Sequence, residues 1–168
     1  ASFRLSLHRP DAASPKGVFK NIRKTIGPLP QYQLPALEWV SYGVDCYLDY
    51  VEKQITPDVM VLWLSEPDES FHHIGIGTAG AMSAIRHVDG EFGRILERQK
   101  QQIVSGRLQI IALSDHGQIN LKGDPLNIAA RLKAGGFTIG TTPEDGSQGV
   151  AIIDNAGGIW LARPDEKL

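Results

Sequence analysis

A single cysteine, Cys46, leaves this chain without an internal disulfide framework and without any CxxC metal or redox motif. Cys46 lies in an apolar helical stretch, which predicts a buried, inert thiol. Strong charge of either sign is also missing: 17 Lys and Arg stand against 19 Asp and Glu, for a formal net charge of −2. A domain that neutralises many phosphates carries a basic stripe. Here Lys16, Lys20, Arg23 and Lys24 form one loose cluster, which a solvated face explains, so no nucleic-acid-binding patch is expected. No apolar run approaches the roughly 20 residues of a membrane span. The first residues contain no signal-peptide h-region, and cytoplasmic and periplasmic settings are both compatible with the sequence. Internal repeats and low-complexity segments are absent too. What is present, 42% hydrophobic residues in a chain of 168, is enough to bury a real core.

Residues 1 to about 35 are broken by Pro10, Pro15, Pro28, Pro30 and Pro35, and leave room for one short helix over Val18 to Ile26. This irregular N-terminal segment is separated from an α/β portion covering 36–168. From Ala36 to Ile55, Leu37, Val40, Val44, Leu48, Val51 and Ile55 recur every three or four residues, one stripe of an amphipathic helix ended by Pro57. Val59 to Leu64 is a continuous apolar run between Pro57 and Ser65-Glu66-Pro67, which predicts a strand buried on both faces. After a loop, a long helix is expected over Ala79 to Val104. Thr78 is its N-cap, and Met82, Ile85, Val88, Phe92, Ile95 and Leu96 form its apolar face. Leu108 to Leu113 is a second buried-strand run, so strand, helix and strand form a right-handed parallel crossover. Further on come a helix over Pro125 to Lys133 with Asp124 as N-cap, then short strands over Phe137 to Ile139, Val150 to Ile153 and Ile159 to Leu161. Asn155-Ala156-Gly157-Gly158 is a hairpin connection between the last two. The expected fold class is α/β, with a parallel core and a small antiparallel attachment.

Both apolar runs end in acids and histidines: Glu66-Pro67-Asp68-Glu69-Ser70-Phe71-His72-His73 after the first, Ser114-Asp115-His116-Gly117 after the second. In an open parallel sheet, ligands bind beyond the carboxyl ends of the strands. Carboxylate oxygen with imidazole nitrogen, and no thiolate, suits zinc, manganese or iron. Each piece alone has a plain alternative. Asp68 can cap a loop amide, His72 and His73 can be polar turn residues, and Gly117 can supply a positive φ after a strand. Independent turns, however, have no reason to place an acid and a histidine at two consecutive strand ends.

The segment Glu66-Pro67-Asp68-Glu69-Ser70-Phe71-His72-His73-Ile74-Gly75 resembles the E-P-D-x-x-x-H-x-x-G segment of type I phosphodiesterases and nucleotide pyrophosphatases, in the alkaline phosphatase superfamily. Ile85-Arg86-His87-Val88-Asp89-Gly90 is similar to the helix that follows in that family, and Ser114-Asp115-His116-Gly117 to its S/A-D-H-G motif. The matches fall in the family's order over about 57–118. The resemblance implies an alkaline-phosphatase-like sandwich with a mostly parallel sheet, and a site with two divalent metal ions, usually zinc. Asp68 and His72 would hold the first ion, Asp115 and His116 the second. It implies hydrolysis of a small-molecule phosphodiester or nucleotide, through a Thr or Ser nucleophile and a phospho-enzyme intermediate. His73 and His87 receive no role, and Asp89 is expected to pack within its helix.

The same resemblance marks what this chain departs from. The family's nucleophile motif lies far upstream of its E-P-D segment, and neither Thr25 nor Ser41 stands in such a turn. A further histidine ligand comes from a downstream motif, whereas no histidine here follows His116. Four ligands for two ions give each only two, where a catalytic zinc normally has three and a water. The expectation is therefore a portion of a longer, incomplete domain, inactive by itself. The alternatives are another superfamily hydrolase (phosphonoacetate hydrolase, sulfatase or phosphomutase) or a non-catalytic binding remnant.

Overall fold

A computed structural model describes residues 2–124, 126–142, 145–153 and 157–163. The chain forms two compact units, 1–120 and 121–168.

In the first unit, a short bridge between Arg4 and Ser14 and a 3-10 turn over Pro10–Ala12 lead into helix α1, Val18–Ile26, as the sequence predicts. The proline-rich stretch is not loose. Ala13, Val18 and Ile22 share a buried cluster with Tyr42 and Cys46, and the Tyr42 hydroxyl donates to Gly27 O at 3.0 Å. The predicted long helix is one rod in three parts: α2, Leu37–Asp45, a π-helical stretch over Cys46–Val51, and α3, Glu52–Gln54. Its expected stripe is the buried one, with Val40, Val44, Leu48 and Val51 all in the core. Glu66 to Gly75, expected as a loop, instead contains helix α4, Asp68–His73.

Helix α5 runs over Ala79–Val104, capped by the Thr78 hydroxyl, which accepts from Ala81 N at 3.3 Å. The face it buries differs from the predicted one. Ala81, Ala84, Glu91, Ile95 and Gln99 are buried, whereas Met82, Ile85 and Leu96 are exposed. The buried stripe follows three- and four-residue spacing through small and polar side chains, and the polar ones have partners. Ser41 donates to Glu91 at 2.8 Å, Arg94 bridges Glu91 and Asp45, and Gln99 donates to Tyr47 at 3.0 Å. Asp89, expected to pack, lies on the exposed face; Glu91, two residues on, has that role.

The two apolar runs are extended but belong to no strand, which corrects the expected parallel crossover sheet. Their residues alternate. Leu62, Leu64 and Ile110 pack on the cluster of Val44, Leu48 and Ile95, while Val59, Val61, Trp63, Ile111 and Leu113 face outward, Leu113 with 88% of its surface exposed. A strand needs a hydrogen-bonded neighbour, and no described segment pairs with either run. Apolar content predicts burial, and here it delivers only one face of it.

In the second unit, helix α6 covers Ile128–Ala134. Its N-cap is Asn127, whose side chain accepts from Ala130 N at 2.8 Å, not Asp124. Asparagine caps as well as aspartate, so the later start costs nothing; Pro125 lies outside the described residues. A three-stranded sheet follows in the order β1 (Ile139–Gly140), β2 (Gly149–Ile153), β3 (Gly157–Leu161). The first pair is parallel and the second antiparallel, with Gly149 opposite Leu161. A Cβ on Gly149 would lie 2.8 Å from Trp160 O, which explains glycine where β2 begins. The hairpin connection falls partly outside the described residues. Among the described residues the architecture is thus mixed α/β with one small mixed sheet, in place of a mostly parallel one. Among the described residues no helix is long and apolar enough to cross a membrane.

Candidate metal centre

Asp68 opens α4, and His72 lies four residues later, so both project from one face of a single helical turn. His72 Nε2 is 3.5 Å from Asp68 Oδ1. The D-x-x-x-H spacing carries that signal in the sequence, although the segment around it reads there as a loop. His73 pairs instead with Glu69, its Nδ1 2.9 Å from Glu69 O and 3.6 Å from Oε2. It turns away from the Asp68 face.

Asp115 and His116 sit on the extended segment beyond Leu113, and that segment reaches α4. His116 Nε2 lies 3.5 Å from Asp115 Oδ2 and 3.8 Å from Asp68 Oδ1. The two sequence-predicted pairs are therefore linked through His116 and Asp68, although one pair lies on a helix and the other on an irregular segment. Their side chains are about half exposed, from 46% for Asp68 to 53% for Asp115. The site is an open surface, accessible to solvent and to a ligand. Gly117 does not occupy the left-handed region, so it supplies no positive-φ turn here.

Two residues escaped the sequence reading. Glu66, buried at 2% exposure, accepts from Ala36 N at 2.7 Å through Oε1 and from Ser70 N at 3.1 Å through Oε2. One carboxylate thus satisfies an amide in the first turns of α4 and fastens it to the start of α2. Tyr32, whose hydroxyl donates to Glu69 at 3.3 Å, adds a second tie from the N-terminal segment. Burial first, then the neighbouring Glu69 carboxylate, pushes the Tyr32 phenol above its ordinary range. The other residue is Gln118, whose Nε2 donates to Asp68 Oδ1 at 2.7 Å and lies 2.9 Å from His72 Nε2. Nothing about glutamine as a residue type flags this position.

The donor set can be tested for a metal on these distances. Two ligand atoms about 2 Å from one tetrahedral ion lie about 3.3 Å apart, and the acid–imidazole separations within each pair are 3.5 Å. Asp68 Oδ1 accepts from the Gln118 amide and His72 Nε2 lies against the same nitrogen, so both atoms face the position a cation would take. The residues fit a pair of two-ligand positions. Among the described residues no group of three or more His, Cys, Asp or Glu side chains is placed to hold one ion. Neither hydroxyl considered as a nucleophile is free: Ser41 Oγ lies 2.8 Å from both His87 Nε2 and Glu91 Oε1, and Thr25 bonds Asn21 O at 3.2 Å.

The sequence model of the family described as type I phosphodiesterase / nucleotide pyrophosphatase matches residues 20–163. Among curated proteins, the chain is similar to ectonucleotide pyrophosphatase/phosphodiesterase family member 3 of Bos taurus, at 35% identity over 74 residues, 44% of this chain and 8% of that protein. It is 27% identical to venom phosphodiesterase 2 of Crotalus adamanteus over 113 residues, 67% of this chain and 13% of that protein. With ectonucleotide pyrophosphatase/phosphodiesterase family member 1 of Homo sapiens the identity is 29% over 104 residues, 60% of this chain and 10% of that protein. The chain spans about a tenth of the length of these curated relatives. No solved structure matches it.

Proposed function

The chain belongs to the type I phosphodiesterase/nucleotide pyrophosphatase family, and on that premise we propose that it contributes part of a two-metal site for hydrolysing phosphodiester or phosphoanhydride bonds. The observation that carries the reading is the convergence of Asp68, His72, Asp115 and His116 from two separate segments. Asp68 and His72 hold one divalent ion, Asp115 and His116 the other, with zinc the best match to the oxygen and nitrogen donors. Such a pair of ions supplies Lewis-acid stabilisation of the phosphoryl oxygens and lowers the pKa of an attached hydroxyl or water. The chain's own residues fix where that chemistry takes place. Glu66 anchors the helix that presents Asp68 and His72, and the half-exposed surface admits an anionic small molecule such as a nucleotide. The finer fold, an alkaline-phosphatase-like sandwich of which this chain forms part, rests on the family alone.

The nucleophile and a third ligand for each ion are not among the groups gathered here, so the 168-residue chain alone is expected to be inactive. The test uses a nitrophenyl phosphodiester. The longer protein containing this chain should hydrolyse it only with zinc present, and Asp68→Asn or Asp115→Asn should lower kcat/KM by about 100-fold or more. Full activity in both variants would remove the metal roles, and zinc-dependent turnover by the isolated chain would overturn its expected inactivity.

A further inference from the structure

Gln118 presents the two ends of its amide very differently. Nε2 lies 2.7 Å from Asp68 Oδ1 and 2.9 Å from His72 Nε2, while Oε1 is buried without a hydrogen-bond partner among the described residues. A primary amide carries two N–H donors and one acceptor oxygen. Turned over, it would bring its oxygen against the Asp68 carboxylate, two acceptors facing each other at hydrogen-bond distance. The orphaned oxygen is the cost of directing both N–H groups at the two atoms assigned to one ion.

We propose that Gln118 is a placeholder for the cation at the Asp68–His72 pair. In the metal-free chain its amide N–H groups take the electropositive position between Oδ1 and Nε2, and a divalent ion binds there only by displacing them. The inference rests on the metal reading above and extends it to how the site is held before loading and how tightly it loads. With the amide in place, a carboxylate and an imidazole stay close without bare acceptors facing each other. Neutral His72 then carries its proton on Nδ1, because Nε2 accepts from Gln118. Loading exchanges two hydrogen bonds for coordination, so the amide weakens metal affinity by what those bonds contribute. For a half-exposed site that is about three- to tenfold.

The experiment titrates zinc alone into the full chain against a chromophoric chelator, for the wild type, Gln118→Ala, Gln118→Leu and Asp68→Asn. Nitrogen-15 spectra of the Gln118 side-chain amide and of the His72 ring are recorded alongside. Removing the amide is expected to tighten zinc binding about three- to tenfold in both Gln118 variants. In the wild type the Gln118 NH2 signals should move on zinc addition, and the metal-free His72 preference for the Nδ1–H tautomer should disappear in both variants. The leucine variant keeps the bulk, so a packing defect in the alanine variant cannot imitate the result. Unchanged or weakened affinity in the Gln118 variants, with one zinc equivalent lost in Asp68→Asn, overturns the placeholder and leaves the metal reading standing. Equal binding by wild type and Asp68→Asn overturns the metal reading, and the placeholder falls with it.

Discussion

Two buried backbone amides, those of Ala36 and Ser70, rely on the Glu66 carboxylate. Truncation to Glu66→Ala removes both acceptors at once, and each unsatisfied amide costs about 1–3 kcal/mol. The variant should lose about 2–6 kcal/mol in urea unfolding, with a smaller loss for Glu66→Gln, which retains one acceptor oxygen. Full stability in the alanine variant would show that water replaces the carboxylate. Cys46 gives a second residue-level prediction. Burial, reinforced by Asp45, pushes its thiol up to about 12, so at neutral pH an aromatic disulfide reagent should react only after unfolding. The burial of Cys46 was legible from its apolar setting. The two acid–histidine pairs were legible because charged groups after apolar runs are unusual company, and Gln118 was not, because its role depends on what a neighbouring segment brings to it.

Helices were the legible elements, since capping and three- to four-residue spacing are local. Helix α1 and helix α5 have the predicted bounds, and Thr78 caps α5 as expected. Thr78→Ala should destabilise the first unit by about 1 kcal/mol, measured as a shift in the thermal midpoint. The buried face of α5 was less legible, because a helix with apolar residues on several sides leaves the choice to its partner, here α2 with Ser41 and Tyr47. The turn ahead of β2 adds a pH dependence. Hydrogen bonds from Ser147 first, then from the backbone N–H groups of Thr141 and Thr142, hold the Asp145 carboxyl well below the usual carboxylate range. A lowered folded value means that its contribution is complete above the unfolded value near about 3.9 and is lost as pH falls through the folded one. Carboxyl NMR titration should show Asp145 still ionised when exposed aspartates have protonated, and Asp145→Asn should flatten that acid response. Titration together with the other aspartates would contradict the turn geometry.

Over the whole molecule, the expected sheet is what the sequence could not supply. A ladder requires a second segment in register, and apolar content says nothing about where that segment is. The consequence is that Val59, Val61, Trp63, Ile111, Leu113 and Ile119 are all exposed in the first unit. Exposed apolar patches and unpaired extended backbone recruit partners. The chain should therefore self-associate at micromolar concentration and bind a hydrophobic dye, and Val61→Lys with Leu113→Lys should reduce both without altering the helical circular dichroism. The proposed metal centre depends on four side chains acting as ligands. Anomalous scattering at the zinc edge, from crystals of the chain grown at saturating zinc, examines them directly. The expected result is one peak within bonding distance of Asp68 and His72 and another at Asp115 and His116. Zinc bound elsewhere, or those four side chains bare while other sites fill, would contradict it.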